Sequence, residues 1–110
     1  MELKYNHWKG SFEAVDEVLR KCISQYTRNH SKVKIGITNK PERRIKQHSK
    51  SNLNWEKMIV IYETSSVSFV NKMEKKHISY QMLYVTNQRN GGGGRDGKTG
   101  PYYLYVLLKK

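Results

Sequence analysis

A small α+β domain, with a mainly antiparallel central sheet flanked by about three helices, is the fold this sequence predicts. Three observations lead there. Apolar residues recur at helical spacing from Phe12 to Tyr26. Two short β-branched runs follow, at 33–38 and 58–63, each leading into a further helical pattern. An aromatic run, YYLYVLL, then comes directly after Pro101. The 110 residues suit one domain, 1–110, with a single modest core.

Residues 1 to 10 read as a lead-in that can hold a strand around Leu3 and Tyr5. Ser11 is placed to cap a helix whose apolar stripe is Phe12, Val15, Leu19, Cys22 and Tyr26, widened by Val18 and Ile23. Glu13, Asp16 and Glu17 lie toward its start and Arg20 and Lys21 further on, as the helix dipole favours. A polar loop, TRNHS, separates it from a strand at Val33 to Thr38. Asn39 is the expected cap of the next helix, with Pro41 in its first turn and Glu42 three residues after the cap. SKSNLN is a loop, and Met58 to Glu63 is a central strand. Ser66 or Ser68 caps a third helix running to about Leu83. NQRNGGGGRDGKTG is a glycine-rich loop before the final strand.

The charge narrows the function. Twenty-one Lys and Arg against nine Asp and Glu leave a net +12, a field suited to nucleic acid or another anionic partner. No run approaches the length of a membrane span, and the start has no apolar signal core. An intracellular protein, in cytoplasm or nucleus, with no membrane partner is expected. One cysteine, Cys22, excludes an internal disulfide and a cysteine-based zinc site.

Three stretches can carry chemistry. In KIGITNKPERRIKQH, residues 34–48, a strand passes through Gly36 into a helix bearing Arg43, Arg44 and His48. Arg44 and His48 are four apart and share a face. A guanidinium can bridge two phosphate oxygens and an imidazole can move a proton; the plain alternative is a solvated basic helix. Glu74 stands in line with Val70 and Ile78, where a carboxylate is costly unless paired or metal-bound. Its plain alternative is a boundary glutamate paired with lysine. His77, one turn on, reads as a partner supporting that carboxylate or, by preference, as a surface residue. Gly92 to Thr99 fits the P-loop pattern, yet no helix can open there before Pro101 and the aromatic strand. Arg95 and Lys98 in that loop remain candidates for phosphate contact. Along YYLYVLL, Tyr102 faces opposite to Tyr103 and Tyr105.

These residues resemble the GIY-YIG nuclease superfamily. Lys34 to Gly36 stands in place of Tyr-Ile-Gly, and Arg44 falls eight residues after the glycine, where that family keeps its catalytic arginine. MIVIYETSS matches its central strand, Glu74 its metal-binding glutamate, and Asn87 to Gly94 its Asn/Gly-rich segment. GPYYLY resembles the family's first strand moved behind the other motifs. This implies a permuted arrangement in which the last strand pairs beside Val33 to Thr38 and brings Tyr102 to the site.

What the resemblance implies is metal-dependent hydrolysis of DNA phosphodiester bonds. Glu74 holds Mg²⁺ (or Mn²⁺), and Arg44, Tyr102, His48 and Lys34 act in catalysis. Arg43, Lys46, Arg95 and Lys98 bind nucleic acid, while Gly36 and Asn90 shape the site. Lys34 in the tyrosine position favours the alternative, a catalytically inactive nucleic-acid-binding module on the same scaffold. A third reading is an interaction protein using its tyrosine-rich surface. Other nucleic acids than DNA are open as partners, as is targeting by a homodimer or a separate protein.

Overall fold

A computed structural model describes residues 1–50, 54–81, 85 and 100–110. The elements are β1 (Glu2–Trp8), α1 (Phe12–Asn29), β2 (Lys32–Thr38), α2 (Pro41–Ser49), β3 (Lys57–Thr64), α3 (Val67–Tyr80) and β4 (Tyr102–Lys109).

Local chemistry explains the boundaries. Ser11 occupies the cap position of α1, and its carbonyl accepts from Val15 N at 3.1 Å. α1 takes in the first three residues of the expected TRNHS loop. There Thr27 Oγ1 donates to the Ser24 carbonyl at 2.8 Å and His30 Nδ1 lies 3.0 Å from the Tyr26 carbonyl oxygen, so polar side chains satisfy the last turn. α2 has Pro41 in its first turn, as expected, but its cap position is Lys40 rather than Asn39. Thr38 Oγ1 accepts the Lys40 N–H at 3.0 Å, which leaves Asn39 outside the helix start. Ser66 is the cap of α3, its Oγ accepting from Phe69 N at 3.1 Å. The expected extension of α3 to Leu83 lies outside the described residues.

The four strands form one sheet in the order β1-β3-β4-β2. β4 runs antiparallel to both neighbours and β1 runs parallel to β3. β4 is therefore internal, although it follows every other element in sequence. The pairing of the last strand beside β2 is as the permuted arrangement requires: Lys32 to Thr38 oppose Lys109 to Tyr103 without a break.

Each face of the sheet has its own core. Val33, Ile35, Ile37, Ile59, Ile61, Tyr102, Leu104 and Val106 pack against Phe12, Val15, Leu19 and Ile23 of α1 and Val70, Met73 and Ile78 of α3. The opposite face carries Trp55, Met58, Val60, Tyr105 and Leu107, covered by Ile45 of α2 and Leu3. Alternation along β4 thus sends Tyr102 to the α1/α3 layer and Tyr105 to the α2 layer. A register shift at Val60/Tyr62 turns Tyr62 to the α1/α3 side and sets Glu63 opposite Tyr103. Among the described residues, no helix is long and apolar enough to cross a membrane.

Candidate functional site

β2 and β4 are paired so that Gly36 lies directly opposite Tyr105. A Cβ at Gly36 would overlap ring carbon Cζ and the phenol oxygen of Tyr105. The glycine is needed here for close approach, because its missing side chain is the path of the phenol. Beyond Gly36, the phenol and His48 Nε2 share a hydrogen bond of 2.8 Å, and the two rings meet edge to face at 5.7 Å. α2 starts close after β2, so its third turn returns over the strand and sets His48 above this tyrosine.

The phenol that the last strand brings to α2 is therefore Tyr105, three residues on from Tyr102. Tyr102 is buried among Phe12, Tyr62 and Leu104 on the opposite face of the sheet. The strand was recognisable, but which tyrosine meets α2 depends on the face, and the face depends on register. Tyr105 had one signal in the sequence: it sits opposite in phase to Tyr102.

Cations surround the histidine. Burial first, and then repulsion from Lys34 and Arg44, together push the His48 imidazole down to about 4. At neutral pH His48 is therefore uncharged. Glu74 answers from the other side. It is only 2 % exposed, and burial raises its carboxyl to about 7, against the opposing pull of Lys34 and Lys75. Lys34 is thus the electrostatic neighbour of both His48 and Glu74.

A buried carboxylate whose burial opposes ionisation is suited to a cation. Among the described residues, no three His, Cys, Asp or Glu gather as a metal cage. One carboxylate is the donor set of an ion that keeps most of its waters and gains the rest from a substrate phosphate, as Mg²⁺ does. The residues fit that use of Glu74.

The remaining candidates divide. Arg43 and Lys46 lie away from the His48 flank of α2, lining a groove with Tyr5 and Tyr103. Asn90, Arg95 and Lys98, and the P-loop pattern, lie outside the described residues. His77 is fully buried rather than on the surface. Its Nε2 lies 3.1 Å from Asp16 Oδ1, off hydrogen-bond geometry but close enough to link α3 to α1. Asp16 is sixty-one residues away, so no local pattern could announce this contact.

No curated protein and no solved structure matches this chain. A family model does match, over residues 11–90, a span that takes in α1 to α3 and leaves out β1 and β4. That model is the T5orf172 domain, found in phage-related, endonuclease-like proteins, and this chain belongs to the T5orf172 family.

Proposed function

We propose that this protein is a metal-dependent endonuclease that hydrolyses DNA phosphodiester bonds at a GIY-YIG-like site completed by β4. The observation that carries the reading is the contact of Tyr105, Gly36 and His48, with Arg44 and Lys34 at close electrostatic range and Glu74 beside Lys34. Membership of a family of endonuclease-like proteins and a net charge of +12 support it.

The residues divide the work. His48, neutral and bonded to the Tyr105 phenol, takes up a proton from the attacking water, with the phenol holding the imidazole in place. Arg44 faces the charge that develops on the phosphoryl oxygens. Lys34 neutralises phosphate charge in the position where a tyrosine stands in the GIY-YIG pattern. Glu74, held by α3, is the ligand for Mg²⁺ or Mn²⁺. When bound, such an ion supplies polarisation of the phosphate and stabilisation of the leaving oxygen. The basic surface gives sequence-independent, salt-sensitive affinity.

The test is cleavage of plasmid DNA with Mg²⁺. Loss of cutting in Glu74→Ala and Arg44→Ala, with DNA binding retained, supports the scheme. Undiminished cutting by Glu74→Ala removes the metal assignment. Lys34 favours one second reading, a binding module without catalysis. Salt-sensitive DNA binding with no metal-dependent cleavage across linear, nicked and branched substrates selects it.

A further inference from the structure

Helix α2 has a second working flank. Opposite the His48 side, a groove of about 470 Å³ opens between α2 and the end of the sheet. That volume is within the range of small-ligand pockets. Its aromatic wall is built from two strands. Tyr5 of β1 is 49 % exposed, and Tyr103 comes from β4. His7 stands between them, edge to face with Tyr5 at 6.1 Å and with Tyr103 at 6.2 Å. Glu63 fixes this cluster from below, accepting from Lys9 Nζ at 3.0 Å and lying 3.2 Å from His7 Nε2.

The other wall is cationic: Lys40, Arg43 and Lys46 line it. Glu42, exposed on α2, and Asn39 complete the lining. An exposed ring beside three cations and a carboxylate suits one class of ligand. It offers a face to stack on, charges for the flanking phosphates and, at Glu42, an acceptor for an exocyclic amine. Duplex DNA hides its bases in the stack and does not use such a wall.

We propose that this groove binds an unpaired nucleotide, its base stacked on Tyr5, so that the protein engages DNA at single-stranded or branched positions. The inference rests on the nucleic-acid reading above and adds the structural class of the substrate. β1, which contributes Tyr5 and His7, lies outside the residues matched by the family model. One α-helix, about 10–12 Å across with its side chains, separates the groove from the His48 flank. A strand held in the groove therefore places a nearby phosphodiester within reach of the site.

The experiment compares three fluorescent probes of equal length: a single-stranded DNA, its blunt duplex, and an abasic single strand with the same phosphates. Wild-type protein is expected to bind the base-bearing single strand roughly tenfold more tightly than the abasic strand. Tyr5→Ala should remove most of that difference while changing duplex affinity less than about twofold, and Tyr5→Phe should restore it. Equal affinity of wild type for the abasic and base-bearing strands overturns the proposal, as does a preference that survives Tyr5→Ala. Catalysis is not needed for this readout. Failure to cut DNA with the Tyr5-dependent preference intact overturns the nuclease reading alone.

Discussion

Gly36 and Tyr105 face each other across the β2–β4 ladder, and the tyrosine ring fills the space a side chain on the glycine would need. Through that gap the phenol reaches His48 at 2.8 Å. The site therefore depends on an absent methyl group as much as on the polar atoms.

Gly36→Ala should accordingly be destabilising. The buried ring of Tyr105, 3 % exposed, is held on one side by the sheet and on the other by His48. Overpacking of this kind costs about 1–3 kcal/mol. In a Tyr105→Ala background the clash disappears, so the two substitutions should be strongly non-additive in urea denaturation. Additive effects would show that the ring moves aside without cost.

Tyr105→Phe and Tyr102→Phe separate the two tyrosines. The first removes the hydroxyl bonded to His48 and should lower the cleavage rate by about 10²-fold, the lower range for loss of proton-transfer help. Its cost in stability should be about 1 kcal/mol. Tyr102→Phe alters a ring packed on the other face and should leave the rate within about twofold. Single-turnover cleavage measures both.

Lys34→Met should move the acid limb of the cleavage profile. Lys34 lowers the Glu74 carboxyl, which burial has raised to about 7, and Glu74 must ionise to hold a metal. Without the ammonium, Glu74 ionises at higher pH, so the acid limb of the rate profile should shift upward. The same change relieves repulsion on His48 and raises its low value. A limb that stays in place would detach Glu74 from the rate.

Glu74→Gln should stabilise the fold in alkaline solution. The carboxyl is raised from 4.5 to about 7, so the folded state keeps a proton that the unfolded chain gives up. The stability linked to this group is complete below about pH 4.5 and is lost as pH rises through 7. Glutamine resembles the protonated form at every pH. The variant should match wild type near pH 4 and exceed it near pH 8 by about 1–3 kcal/mol. His48 works in the other direction. Its value is depressed from 6.5 to about 4, so the stability it carries is present above 6.5 and lost as pH falls through 4. Thermal melts of both proteins from pH 4 to 8, without metal, resolve the Glu74 contribution as their difference.

The features legible in the sequence were those with a local cause. Ser66 caps α3 because its side chain reaches only three residues onward. Glu74 reads as buried because helical spacing puts it in register with Val70 and Ile78. The strand after Pro101 was recognisable from its aromatic content, and even its pairing with β2 followed from motif order. Two features were set by distant partners and were not legible. Which face of β4 meets α2 depends on its register with β2. The burial of His77 depends on Asp16 of α1. The displacement of Asn39 from the cap position has a local cause, Thr38 taking the Lys40 N–H, and was missed because two neighbouring residues can both serve as acceptors there. Tyr5 belongs with the first two. It reads only as part of a short strand until Tyr103 and His7 arrive beside it.

β2 and β3 do not pair with each other; each is bonded to β4. On a ribosome, Lys34, Arg44, His48 and Glu74 are all translated before the strand that joins their supports. A nascent chain halted anywhere before Tyr102 has no continuous sheet, no phenol beside His48 and no way to align α2 with α3. Loop closure over so long an intervening segment also delays assembly after synthesis. A sheet laid out this way is completed only when its last strand arrives, so α2 and α3 gain their common support at the very end of synthesis.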